Sequence, residues 1–279
     1  MIWKTSRYSF DLTQRGLIMG VLNVTPDSFS DGGRFLEASA AVERAREMEA
    51  EGADIIDIGG ESTRPGAMAI PADEEMRRVL PVIHAVRGAV GCAISVDTMK
   101  AEVARAAMEA GADIINDVSG LQADPDMAAA AAGTGAGLVL MHMQGSPQTM
   151  QKHPAYADVV QEIQASLRHS MELALRAGAA AESIALDPGI GFGKTLEHNL
   201  TILREPAVFS LDGRPVLLGV SRKSFISRLL GPMDPAARKW PTVALTSMAR
   251  EQGARIFRVH DVKDNRQALR MTEAILAAG

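Results

Sequence analysis

Apolar residues fall along the chain in short runs of strand length, each followed by a longer Ala-, Glu- and Arg-rich stretch of helical length. The runs are Leu17–Leu22, Ile55–Ile58, Ala93–Val96, Ile114–Ile115, Leu138–Met141, Ile184–Leu186, Val216–Val220 and Ile256–Val259. Helical patterning predicts helices at Glu37–Glu51, Asp73–Val86, Lys100–Glu109, Pro125–Ala132, Tyr156–Ala177, Glu197–Leu203, Val243–Gln252 and Asp264–Leu276. Near-continuous apolar strands are buried on both faces, as in a parallel sheet covered by helices. Eight strand–helix units with no Pro/Ser-rich linker favour a (β/α)8 TIM barrel over an open sheet. The expected organisation is a single domain, with residues 1–16 as a short N-terminal extension and 17–279 as the barrel. "GADIID" at Gly52, "GADIIND" at Gly111 and "GARIFRVHD" at Gly253 echo one another. In each, a glycine closes a helix with a left-handed cap and a strand follows at once.

The polar residues matter because of where these runs stop. In "MGVLNVTPDSFSDGG", Met19 to Gly33, a strand opens onto a long polar loop, which is where a rigid sheet places chemistry. Other strands end the same way: Asn23, Asp57, Asp97, Asn116 with Asp117, His142, Asp187, then Ser221–Arg222–Lys223, then Arg258 with His260. Taken singly, Asp117 reads equally well as an N-cap for the next helix and His142 as a satisfied core histidine. As a set they occupy the barrel end that carries active sites. The set is sorted by charge. Strands one to six supply Asp and Asn, while strands seven and eight supply Lys, Arg and His, a cationic corner suited to phosphate. Carboxylates and amides elsewhere suit a neutral heterocycle rich in N–H donors.

Composition narrows the partners. Net charge −5 at pH 7 gives no electrostatic footprint for nucleic acid or an anionic membrane. No apolar run approaches the ~18 residues of a membrane span. The single cysteine, Cys92, forbids an internal disulfide and fits a reducing cytoplasm. "GIGFGKT" would need Gly at position 188 to be a phosphate-binding P-loop, and Pro188 stands there. "GVSRK" would need Gly in place of Lys223 to be a nucleophile elbow. No cysteine pair or HExxH cluster offers a zinc site. The expected sources of catalysis are positioning and electrostatics.

The strings "GVLNVTPDSFSDGG", "ADIIDIGGESTRPGA", "ISVDT.K", "GADIINDVSGL", "LMHMQGSPQTMQ", "LDPGIGFGKT..HN", "LLGVSRKSFI" and "RVHDV" run from residue 19 to residue 262. In that order the chain resembles the dihydropteroate synthase family. The resemblance implies a transferase of folate biosynthesis. It would join 6-hydroxymethyl-7,8-dihydropterin pyrophosphate to p-aminobenzoate, with Mg2+ on the pyrophosphate, forming 7,8-dihydropteroate. It implies that Asp97, Asn116, Asp187, Lys223, Met141 and Phe192 hold the pterin. Asn23, Thr63, Arg64, Arg258 and His260 would hold pyrophosphate, with Asn23 near the metal. Phe29, Thr63, Pro65, Phe192, Lys223 and Ser224 would shape the aminobenzoate pocket, which sulfonamides also enter, and the loops with Asp31 and Ser62 would close over it. Homodimers through the late helices are implied as well.

Some positions depart from the family pattern. Pro241–Thr242 stands where Gly-Ser or Gly-Thr is usual, Met99 replaces a small or polar residue, and the connector Leu203–Pro215 is short. Two other functions share parts of the pattern: a methyltetrahydrofolate-binding barrel of a corrinoid methyltransferase, and an inactive pterin-binding paralogue. The first has no use for a pyrophosphate corner. The second should have lost Phe29, Asp31, Thr63 and Arg64, which all stand here.

Overall fold

The computed structural model describes residues 1–24 and 34–278, with only the backbone of 34–37. An antiparallel hairpin, β1 (Ile2–Lys4) and β2 (Ser9–Asp11), precedes eight parallel strands. These are β3 (Leu17–Asn23), β4 (Ile55–Gly59), β5 (Ala93–Asp97), β6 (Ile114–Asp117), β7 (Gly137–Met141), β8 (Ile184–Asp187), β9 (Leu217–Leu218) and β10 (Ile256–Val259). They pair in the order β8-β7-β6-β5-β4-β3-β10-β9, and a bridge between Leu186 and Val216 closes the ring. Helices α1 (Arg34–Ala50), α2 (Ala72–Arg87), α3 (Ala101–Ala110), α4 (Met127–Thr134), α5 (Val159–Arg176) and α6 (Leu196–Arg204) fall between successive strands. Helices α7 (Ser224–Leu230) and α8 (Lys239–Glu251) both lie between β9 and β10, and α9 (Val262–Ala277) follows β10. The chain folds as the expected (β/α)8 barrel. Gly52, Gly111 and Gly253 have φ of 100°, 119° and 100°, the left-handed conformation expected of the repeated caps.

Successive strand residues point to opposite sides, and that alternation builds two separate cores. Ile18, Ile56, Ile94, Ile115, Leu138, Ile184, Leu218 and Phe257 lie in the large core shared with the helices. Their neighbours Leu17, Ile55, Ala93, Ile114, Val139, Ala185, Leu217 and Ile256 fill the lumen, one from each strand. Trp3, Phe10 and Leu12 of the N-terminal segment pack on this inner cluster and plug its lower end. Trp3 is fully buried and its indole N–H donates to the Ser183 carbonyl at 2.8 Å. Each such side chain taken from water contributes about 1.5–3 kcal/mol.

Five elements differ from the sequence reading. The hairpin strands are three residues long and α7 is seven, too short for periodicity to register. The seventh barrel strand pairs only at Leu217–Leu218 with β10, because the chain turns off before Lys223. Helix α8 begins at Lys239 rather than Val243, so Pro241 sits in its first turn, where a missing N–H costs nothing.

Candidate active site

The alternation that sends Ile55, Ile114, Ala185 and Ile256 into the lumen sends Asp57, Asn116, Asp187 and Arg258 there too, one step nearer the strand ends. Asp97 and Asn116 are paired across β5 and β6, and Gly59 lies between Asn23 and Asp97 in the same row. Gly59 leaves that row open: a Cβ there would stand 3.5 Å from the Asp97 Cβ and 3.8 Å from Asn23 Oδ1. Arg258 ties the floor together. Its Nε donates to Asp57 Oδ2 at 2.6 Å and its Nη2 to Asp97 Oδ2 at 2.7 Å. Asn116 Nδ2 also donates to Asp57 Oδ2, at 3.3 Å.

This floor has more acceptors than donors. Asp57 Oδ1 and Asp97 Oδ1 are buried without a hydrogen-bond partner among the described residues. Burial, opposed by Arg258 and reinforced by Asp57, Glu75 and Asp117, pushes the Asp97 carboxyl up to about 7. Burial likewise pushes Asp187 up to about 6, against the Gly189 N–H, Lys223, Lys194 and Arg258. Asp187 Oδ1 accepts from Gly189 N at 2.7 Å. Gly189 has φ 72°, and a Cβ there would come within 1.9 Å of the His142 carbonyl oxygen, so only glycine fits.

An apolar patch flanks the polar floor. Val118, Met141, Met150 and Phe192 pack together, with Met99 and Met143 against them. Lys223 Nζ stands 4.0 Å from the centre of the Phe192 ring. Burial first, then Arg258, holds the Lys223 ammonium down at about 8, against Asp187 and Asp97. Lys223 is presented by a strained turn. Arg222 has φ 58°, held there by two hydrogen bonds to Asp261, at 3.2 and 2.7 Å, and by Arg238, which donates to its carbonyl at 2.8 Å. Ser224 is exposed and opens α7 beside it.

The expected cationic corner needs correction. His260 is held down at about 3 by burial and by Arg258 and Arg222, so at pH 7 it is a neutral imidazole, with Nδ1 2.9 Å from Ser221 Oγ. Arg258 faces two carboxylates, so the corner's charge is partly cancelled. His142 is the satisfied core histidine: its Nδ1 meets Lys194 Nζ at 3.0 Å. Asp117 does not cap the next helix, whose N-cap position is Asp126; it caps its own turn through the N–H groups of Ser119 and Leu121.

The strand ends thus bring together Asn23, Asp97, Asn116, Met141, Asp187, Phe192, Lys223, Arg258 and His260. Ser62, Thr63, Arg64 and Pro65 lie on the segment between β4 and α2, and among the described residues no hydrogen bond or ion pair joins them to that ring. Phe29 and Asp31 lie outside the described residues. Among the described residues no three His, Cys, Asp or Glu side chains converge on a metal position. Asn23 does offer a hard amide oxygen beside Asp97. That fits Mg2+, which takes few protein ligands and completes its shell with phosphate oxygens and water.

The family model of pterin binding enzymes matches residues 19–260. The chain is 48% identical over 261 residues to dihydropteroate synthase of Escherichia coli K12, covering 94% of this chain and 92% of that one. The chain belongs to the dihydropteroate synthase family. Its fold superposes on Yersinia pestis dihydropteroate synthase in a sulfonamide complex with a TM-score of 0.93, at 43% identity, covering 99% of this chain and 100% of that one. The Xanthomonas albilineans dihydropteroate synthase structure with 4-aminobenzoic acid gives 0.90 at 43% identity, covering 96% of each chain. For a chain of this synthase family, two site features were missed in the sequence. Asp57 reads along the chain only as a strand end, although its spacing of two from Ile55 marks it as a lumen residue. Met99, which the sequence marks only as a departure from the family pattern, packs on the Met141–Phe192 patch.

Proposed function

We propose that the protein is a working dihydropteroate synthase, joining 6-hydroxymethyl-7,8-dihydropterin pyrophosphate to p-aminobenzoate with release of pyrophosphate. The observation that carries this reading is the surplus of buried acceptors at the lumen end, beside an apolar patch. A flat ring with an amino group and ring N–H on one edge supplies the donor that Asp97 Oδ1 lacks and further donors to the Asp187 carboxylate, and Asn116 matches a mixed edge. Met141, Val118 and Phe192 cover its faces. Lys223 lies between Asp187 and the Phe192 ring, within reach of both substrates.

In the reaction the C–O bond to the diphosphate breaks, its electron pair leaves with the diphosphate, and the arylamine nitrogen forms the new bond to the pterin methylene and gives up a proton. Asp97 and Asp187 favour the positive charge that develops on the pterin as the leaving group departs. Arg258 and the neutral His260 stand on the leaving-group side, with Thr63 and Arg64 assigned to it from the loop. Mg2+, when bound by Asn23 and diphosphate oxygens, supplies charge neutralisation for the leaving group. Pro65, Ser224, Phe192 and Lys223 frame the arylamine, with Phe29 contributing from outside the described residues. Asp31 and Ser62 belong to the closing loops.

Sulfonamides should compete for the arylamine position. A second copy of the chain fits the exposed apolar side chains of the late helices, Leu229, Leu230, Trp240, Met271, Ile275 and Leu276. The protein would work in the cytoplasm: Cys92, its thiol pushed up to about 12 by burial, suits a reducing compartment.

Chromatography of reactions containing Mg2+ and both substrates tests the assignment. The expected result is 7,8-dihydropteroate formed one-for-one with pyrophosphate, and competitive inhibition by a sulfonamide against p-aminobenzoate. Binding of methyltetrahydrofolate without any pyrophosphate release from the pterin substrate would point to the corrinoid methyltransferase reading instead.

A further inference from the structure

The segment between β4 and α2, which carries Ser62 to Pro65, contains no helix or strand. One flank, at Ala67 and Ala69, borders an open cavity of about 450 Å³ whose other walls include Met99, Met143 and Ser146 to Gln148. Side-chain packing therefore does little to hold that flank. Among the described residues its attachments are few. Gly66 N donates to the Pro147 carbonyl at 3.0 Å, Arg78 Nη1 donates to the Gly60 carbonyl at 3.0 Å, and Glu61 pairs with Lys100.

The last attachment is the buried one. Lys100 Nζ meets Glu61 Oε2 and, at 2.5 Å, Glu75 Oε2 on α2. Side-chain exposure is 8% for Glu61 and 1% for Glu75, so Lys100 is the counter-charge shared by two largely buried carboxylates. Gly60 packs so closely on α2 that a Cβ would stand 2.7 Å from Val79 Cγ1 and 3.3 Å from Glu75 Cγ. Lys100 itself sits on a fixed turn three residues beyond Asp97. Thr98 N donates to the Asn116 carbonyl at 3.2 Å, Lys100 N to Thr98 Oγ1 at 3.2 Å, and Ala101 N to Asp124 Oδ2 at 2.8 Å. Burial opposes the Lys100 charge, but hydrogen bonds to Glu61 and Glu75 outweigh it and hold the ammonium above its ordinary value.

We propose that Lys100 is a positioning residue for the arylamine half of the reaction: by pairing with Glu61 and Glu75 it fixes the base of the Ser62–Pro65 loop to the turn that leaves the pterin-holding strand. Lys100 touches neither substrate. It sets how far the loop stands from the lumen end, and so the width of the arylamine pocket. The inference rests on the synthase reading above.

Steady-state kinetics of Lys100→Met, Lys100→Arg and Glu61→Gln, with calorimetry of 6-hydroxymethylpterin binding, tests it. Lys100→Met should raise KM for p-aminobenzoate by about tenfold or more while pterin affinity stays within about twofold, since a misplaced loop costs the group it positions. Lys100→Arg, which can fork to both carboxylates, should restore that KM to within about threefold of wild type. Glu61→Gln removes one charge and leaves Lys100 paired to Glu75. It should raise the same KM by a smaller factor, and it provides the answer if Lys100→Met does not fold. An unchanged arylamine KM in the folded variants overturns the proposal, as does an equal loss of both substrates that tracks a lowered melting temperature. Wild-type protein that makes no dihydropteroate overturns the synthase reading itself; wild-type turnover with unaltered variants overturns only the role of Lys100.

Discussion

Asp187→Asn should bind the pterin about 2 kcal/mol or more worse than wild type, about a thirtyfold loss, because it replaces a carboxylate acceptor with a donor facing the ring's own N–H groups. Titration calorimetry with the pterin pyrophosphate measures this. An unchanged affinity would remove Asp187 from the pterin site. The same variant should melt higher than wild type at pH 8. Burial raises the Asp187 carboxyl from 3.8 to about 6 in the folded chain. Between those values the folded state keeps a proton that the unfolded state has released, so the wild type loses stability as pH rises through that window. Asparagine has no charge to bury. Its advantage should therefore be complete above about pH 6 and absent below about pH 4, where aspartate is protonated in both states. A residue that weakens the empty protein and strengthens the complex is the pattern expected of a binding group. A melting advantage that did not change with pH would contradict it.

The second large effect is expected at Arg258. Removing it, as in Arg258→Met, leaves Asp57 and Asp97 at full or near-full burial without the guanidinium that pairs with both. Loss of one partner from such a buried group costs about 3–5 kcal/mol. Chemical denaturation should show that loss, and a loss under about 1 kcal/mol, the range of an exposed pair, would contradict the geometry. Arg258→Lys keeps the charge but cannot fork to Asp57 and Asp97 together, so turnover should fall by about tenfold or more. The sequence reading gives Arg258 to the pyrophosphate alone and expects bare pterin to bind Arg258→Lys nearly normally. The hydrogen bond to Asp97 changes that expectation: a freed Asp97 carboxylate rearranges or takes up a proton, and bare pterin should bind more weakly as well.

Strand ends and most residues of the candidate site could be read from the chain because the barrel turns a linear pattern directly into a ring. An apolar run says where a strand is, and the first polar residue after it says what stands at the rim. What escaped depends on contacts across the ring or on very short elements. The pairing of Arg258 with Asp57 joins residues 201 apart, and no local pattern announces it. Asp57 itself was within reach, since it continues the inward alternation that begins at Ile55. The charge of His260 could not be read from its neighbours in sequence, because burial and the Arg222 and Arg258 cations set it. The Trp3–Phe10 plug was invisible for a different reason: two three-residue strands carry no measurable period, and their partners are the strands' lower ends. Lys100 looked like the start of a helix, and it does precede α3, but its side chain turns to Glu61 and Glu75 instead.

The claim on which the rest depends is that the acceptor-rich floor of the lumen reads the pterin while the Asn23–His260 side reads the diphosphate. Diffraction from crystals of the chain soaked with 6-hydroxymethyl-7,8-dihydropterin pyrophosphate and Mg2+ addresses it most directly. The account predicts the amino and ring N–H edge of the pterin within hydrogen-bond distance of Asp187, with Asp97 and Asn116 also in contact and the ring against Met141 and Phe192. The diphosphate should lie toward Asn23 and His260. A pterin bound outside the lumen end, or a diphosphate seated on the Asp97–Asp187 floor with the ring turned outward, would contradict it.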